Sequence, residues 1–103
     1  MQDKSSFGQF IRRVRQERGE PLRVVAAAVG IDSTLLSKLE REERFPTESQ
    51  ITKFAKVFKV PVEELKGRVI ADKVISEYDD EEATRHAVLI LKERATPYRT
   101  NSK

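Results

Sequence analysis

Apolar residues recur at helical spacing along most of the chain, and no segment alternates as a strand should. Phe7, Phe10, Ile11 and Val14 fall at i, i+3, i+4 and i+7, which is one stripe of an amphipathic helix. Ser6 with Gln9 forms a capping box at its start, and Gly19 supplies a stop, so the first helix is expected over about 6–18. Pro21 suits the first turn of a second helix, "LRVVAAAV", which Gly30 ends. Asp32 is the N-cap expected for a third helix over 33–41. "ERFP" is a loop. Thr47 with Gln50 repeats the capping box, and Ile51, Phe54, Ala55 and Phe58 mark a fourth helix over about 48–58. Pro61 and the acidic pair Glu63 and Glu64 open a fifth, with Leu65 on its core side and Gly67 as a bend or end.

The pattern then changes. Val69, Ile70, Val74, Ile75 and Tyr78 make a further amphipathic helix. "DDEE" at 79–82 is an acidic start for the last one, whose stripe is Ala83, Ala87, Ile90 and Leu91, with Val88 and Leu89 beside it. The tail from 96 to 103 is expected to be disordered. The fold class is therefore all-α, with a helical domain at 5–66 and two C-terminal helices within 67–95.

Two short helices joined by a Gly-Ile-Asp turn form a helix-turn-helix arrangement. At about 100° per residue, with Ser33 at zero, Ser37 falls at about 40°, Arg41 at about 80°, Thr34 at about 100° and Lys38 at about 140°. Leu39 falls at about 240° and Leu36 at about 300°, while Leu35 lies on the border at about 200°. One face of the third helix thus carries hydroxyls and cations and no carboxylate. Hydroxyls exchange hydrogen bonds with base edges, and lysine donates to guanine acceptors in the major groove. Arg41, at the far end, is placed to reach a phosphate. A solvated helix face has a similar composition, so the surrounding frame decides between the two readings.

Charge sharpens that frame. The chain has 103 residues, 20 Lys or Arg, 17 Asp or Glu, and a net charge of +3. Residues 1–68 carry 14 basic against 10 acidic side chains, and residues 69–103 carry 6 against 7. A basic front and a near-neutral back point to different partners for the two parts. There is no cysteine, which excludes disulfide scaffolds, cysteine metal sites and thiol catalysis. No apolar run reaches membrane-spanning length, and the first residues show no signal-peptide pattern, so a cytoplasmic protein without membrane partners is expected. The single histidine, His86, lies near the apolar stripe of the last helix with no second metal ligand at useful spacing. No nucleophile elbow or phosphate-cradling glycine loop occurs. A binding protein without cofactor or metal, and not an enzyme, is expected.

With those residues in place, positions 7–65 resemble the Cro/cI-type (XRE-type) helix-turn-helix DNA-binding domain. The resemblance is carried by "IRRVRQERG", "VVAAAVGIDSTLLSKLERE" and "RFPTESQITKFAKVFKVPVEEL". It implies a five-helix, lambda-repressor-like domain whose third helix enters the major groove, acting as a transcriptional regulator on double-stranded DNA. It places Ser33, Thr34, Ser37 and Lys38 at base-facing positions, and Arg23, Arg41, Arg44 and Thr47 at phosphate-facing ones. Arg15 and Glu40 match an ion pair that ties the first helix to the third. Three positions depart from the family pattern. Leu22 stands where a polar contact residue is usual. Glu20 replaces a core leucine whose space Leu22 is placed to fill. Glu42 replaces a glycine, which leaves the end of the third helix open to a different turn.

The C-terminal helices need a cover for their apolar faces. Cro/cI-like proteins commonly bind palindromes as dimers, so a homodimer through Val74, Tyr78, Ala87, Ile90 and Leu91 is expected. The alternative is an antitoxin-like protein whose C-terminal helices hold a protein partner. "ADKVISEYDDEEATRHAVLILKERA" also resembles small regulators of restriction–modification or mobile loci, which implies autoregulation of the protein's own operon.

Overall fold

The computed structural model describes residues 3–79 and 81–101, with the side chains of 96–101 excepted. Within these residues it contains six helices and no strand: α1 (Phe7–Glu17), α2 (Leu22–Val29), α3 (Ser33–Glu40), α4 (Glu48–Phe58), α5 (Val62–Tyr78) and α6 (Glu82–Asn101). The all-α class and the N-terminal helix-turn-helix arrangement follow the sequence reading.

The helix starts are made by the residues that the sequence marks. Ser6 Oγ accepts from the Gln9 N–H at 3.1 Å, and Gln9 Oε1 accepts from the Ser6 N–H at 3.1 Å. Thr47 and Gln50 form the same reciprocal pair on α4. Asp32 Oδ1 accepts from the Leu35 N–H at 2.7 Å, so α3 begins one residue after the turn. Each pair satisfies donors that a helix start leaves without an internal acceptor.

The stops use left-handed residues. Gly19 (φ +66°) and Gly30 (φ +89°) do so without a Cβ to oppose them. Glu42 does the same at φ +65°. Its N–H donates to the Leu39 carbonyl at 3.1 Å, and the Glu43 N–H donates to the Lys38 carbonyl at 2.9 Å. These two bonds are the ones that Gly19 and Glu20 make at the end of α1, to Gln16 and Arg15. The turn left open at Glu42 is therefore the glycine-type turn, built here by a glutamate against the usual steric preference.

Gly67 does not interrupt its helix. The fifth helix of the sequence reading and the first C-terminal helix are one continuous α5, because a glycine inside a helix costs only about 1 kcal/mol and needs no break. Helix α6 runs to Asn101, through most of the segment 96–103 expected to be disordered. Residues 102 and 103 lie outside the described residues, as does Asp80 of the "DDEE" run.

The chain divides into two compact units, Met1–Asp72 and Lys73–Lys103. The core of the first joins all five of its helices: Phe7, Phe10 and Ile11 of α1, Val25, Ala26 and Val29 of α2, Leu36 and Leu39 of α3, Ile51, Phe54, Ala55 and Phe58 of α4, and Leu65 and Val69 of α5. Phe7 meets Phe54 edge-on at 5.4 Å, and Phe54 meets Phe58 at 5.9 Å, favourable arrangements for aromatic rings. Leu22 packs half-buried against this core, as its place beside Glu20 predicts. Val69 belongs to it although the sequence reading counted that residue with the C-terminal segment. In the second unit, Ile75, Tyr78, Val88, Leu89, Ile90 and Leu91 are all exposed.

Candidate nucleic-acid interface

Helix α3 is held from behind. Leu36 and Leu39 are fully buried, and Leu35 packs half-buried beside them. Both α1 and α2 pack against it. Arg15 of α1 reaches Glu40 at its end: Nε donates to Oε2 at 2.7 Å and Nη2 to Oε1 at 3.0 Å. The third nitrogen, Nη1, donates to the Glu20 carbonyl at 3.0 Å, so one guanidinium binds both the end of α3 and the turn after α1. Arg15 and Glu40 thus meet as the family resemblance implies.

The opposite face of α3 is open to solvent. Thr34 is exposed, and Ser33, Ser37 and Lys38 are half-buried. All four stand on the side of the helix away from Leu36 and Leu39, as the angular projection requires. Half-burial limits how far Ser33, Ser37 and Lys38 can wander, and it leaves part of each side chain in reach of a ligand.

Around that face stand the other cations. Arg23, near the start of α2, and Arg44, in the loop after α3, are exposed, and neither pairs with a carboxylate among the described residues. Thr47 is exposed at the start of α4. Its hydroxyl oxygen is occupied as a cap acceptor, which leaves its O–H as a donor.

Arg41 is different. It follows α3 directly, and Nε donates to Glu43 Oε2 at 2.7 Å while Nη2 donates to Oε1 at 3.3 Å. Its Nη1 donates to Ser37 Oγ. The Arg41 bond holds the Glu43 carboxyl below the usual range, with Lys38 adding to the same effect. Sequence reasoning missed Glu43 because residues two apart on a helix face different directions. The left-handed turn at Glu42 brings Glu43 round, and that turn was not legible without a glycine to mark it.

Two further groups escaped the sequence reading. Arg68 of α5 is buried. Its Nη1 donates to the Ser5 carbonyl at 2.8 Å, Nη2 donates to Glu64 at 3.1 Å, and its guanidinium carbon lies 4.2 Å from the Phe10 ring centre. Asp72 accepts from the Phe7 N–H at 3.0 Å and so caps α1 from the far end of the unit. The Glu64–Arg68 pair is local at four residues apart, but the contacts of Arg68 to Ser5 and of Asp72 to Phe7 span more than sixty positions and leave no local signal. Among the described residues no cluster of three or more acidic or histidine side chains is placed to hold a metal ion, and no helix is long and apolar enough to cross a membrane.

The helix-turn-helix domain family matches residues 6–66. No curated protein matches the chain. The match begins at the cap of α1 and ends within α5, and so takes in the whole of α2, the Gly30 turn and α3. Capped helices, a left-handed glycine turn and a third helix that is buried on one face and polar on the other converge with that match: the chain belongs to the helix-turn-helix domain family.

Proposed function

We propose that the protein is a sequence-specific transcriptional regulator that binds a palindromic operator on double-stranded DNA as a homodimer and controls its own operon. The observation that carries this reading is the outer face of α3, where hydroxyls and a lysine stand on a helix anchored by buried leucines. Ser33, Thr34, Ser37 and Lys38 meet base edges in the major groove. Arg23, Arg44 and Thr47 meet phosphates, which sets register on the duplex without reading sequence. The N-terminus of α3 favours an anionic backbone beside it.

Self-association is supported by the second unit. Tyr78, Ile90 and Leu91 are 60%, 51% and 61% exposed. Val74 is half-buried and Ala87 exposed on the same two helices. Val88 to Leu91 are four apolar residues in a row, and at about 100° each they encircle α6. An apolar turn exposed on every side is surface that association can cover. A second copy encloses both α6 helices at once and couples two headpieces, which raises operator affinity through effective concentration. The same exposed residues serve the antitoxin-like reading, in which a different protein encloses α6.

The test is selection of bound duplexes from a random pool at near-physiological salt. The expected result is an inverted repeat with half-sites about 34–36 Å apart. Weak, salt-sensitive binding with no enriched sequence would remove the regulator reading and leave the second unit as the functional surface.

A further inference from the structure

The DNA reading proposed above leaves Arg41 with an ambiguous place, since the family resemblance puts it on a phosphate while its contacts turn it toward the outer face of α3. We infer that Arg41 is a guanine-reading residue, held in position by Glu43 and Ser37.

The count of donors makes the argument. A guanidinium has five N–H groups in a fixed plane. Nε–H and one Nη2–H go to the Glu43 carboxylate, and one Nη1–H goes to Ser37 Oγ. One N–H on each Nη remains. These remain to donate, and a guanidinium edge with two such donors is the group that meets the N7 and O6 acceptors on the major-groove edge of guanine. At about 80° on the α3 projection, Arg41 lies between Ser37 and Thr34, inside the base-reading face.

Charge points the same way. A phosphate contact draws its affinity from an unneutralised cation that displaces counterions. Arg41 is already paired with a carboxylate across two bonds. It therefore gains little on the backbone, while its directional hydrogen bonds to a base are undiminished. Arg23 and Arg44, which have no such carboxylate among the described residues, are the better phosphate ligands. Ser37 is set by the same contact. Its oxygen accepts from Arg41, and its O–H is left to donate to a base acceptor. Glu43 touches no DNA in this arrangement and acts as a positioning residue.

The experiment compares the full chain with Arg41→Lys, Arg41→Ala and Glu43→Gln in random-duplex selection and in binding titrations over a salt series. Thermal melts of each variant check the fold, which these exposed side chains should leave intact. The parent should select one G·C pair per half-site that Arg41→Lys no longer selects, with discrimination at that pair falling between about fivefold and about a hundredfold. Glu43→Gln should broaden the same position. The salt slope should be unchanged in Arg41→Ala and should steepen by about one in Glu43→Gln, where the freed cation becomes available to the backbone. A uniform loss across sequences in Arg41→Ala, with the slope reduced by about one, would make Arg41 a phosphate contact and overturn the assignment. Full retention of the guanine preference in Glu43→Gln would remove Glu43 from it. If the parent enriches no sequence, the DNA reading itself fails and takes this assignment with it, an outcome distinct from a parent motif that the variants do not alter.

Discussion

Gly8, in the first turn of α1, lies so close to the carbonyl oxygen of Leu39 in α3 that no Cβ fits between them. A methyl there would also stand 2.9 Å from the Glu40 carbonyl oxygen. Backbone oxygens at a helix end cannot swing aside as a flexible side chain can. Gly8→Ala is expected to destabilise the domain by about 1–3 kcal/mol, although alanine is the better helix former. Urea unfolding measures it. An unchanged midpoint would mean that α1 and α3 separate freely at this point.

The Arg15–Glu40 pair is almost closed to water, with the side chains 14% and 6% exposed. Removing one partner strands a charge. Glu40→Ala is expected to cost about 3–5 kcal/mol, while joint replacement by Arg15→Met and Glu40→Leu should cost far less. Denaturant melts of the parent and both variants decide it. A double variant as unstable as the single one would show that the pair, and not the stranded charge, supplies the stability.

Asp72 gives the fold a pH response. Burial raises its carboxyl above the usual 3.8 and Glu42 adds to the rise, while the Phe7 N–H bond and Arg68 oppose it. The folded state therefore holds this proton more tightly than the unfolded chain does. Ionised Asp72 costs the fold something above its raised value, and that cost vanishes as pH falls through the ordinary carboxylate range. Asp72→Asn keeps an acceptor for Phe7 without the charge. It is expected to be at least as stable as the parent at neutral pH, with the margin shrinking toward about pH 4. Urea melts at the two pH values measure this. A loss of stability at neutral pH would show that the helix dipole of α1 outweighs the burial.

For the second unit, Ile90→Asp or Leu91→Asp is expected to convert a dimer into monomers. Sedimentation velocity at micromolar concentration reads the change. If both variants remain dimeric, the copies meet elsewhere. A parent that is monomeric throughout would favour a different protein as the cover for α6.

What was legible in the sequence was local. Ser6, Asp32, Thr47 and Gly30 act within four residues of themselves, so their roles could be read from spacing alone. The polar face of α3 followed from the helical period. The contacts of Arg68 and Asp72 to Ser5 and Phe7 were not legible because they span more than sixty positions, and Glu43 was not because the left-handed turn at Glu42 that brings it to Arg41 has no glycine to mark it. Gly67 misled for the opposite reason: a residue that often ends helices is tolerated inside one when the flanking residues Leu65, Arg68 and Val69 are buried against the core. The Arg15–Glu40 pair, twenty-five positions apart, came only from the family resemblance.

Asp72 and Arg68 also bear on how the molecule is made. The start of α1 leaves the ribosome well before α5, yet two of its backbone groups, the Phe7 N–H and the Ser5 carbonyl, are satisfied by side chains of α5. Val69 fills the same core from that helix. During synthesis the scaffold that fixes α3 waits for residue 72 to emerge. A chain cut at residue 66, where the family match stops, is in this respect a permanent nascent chain: it carries every side chain proposed to touch DNA and lacks the three that close the domain behind them.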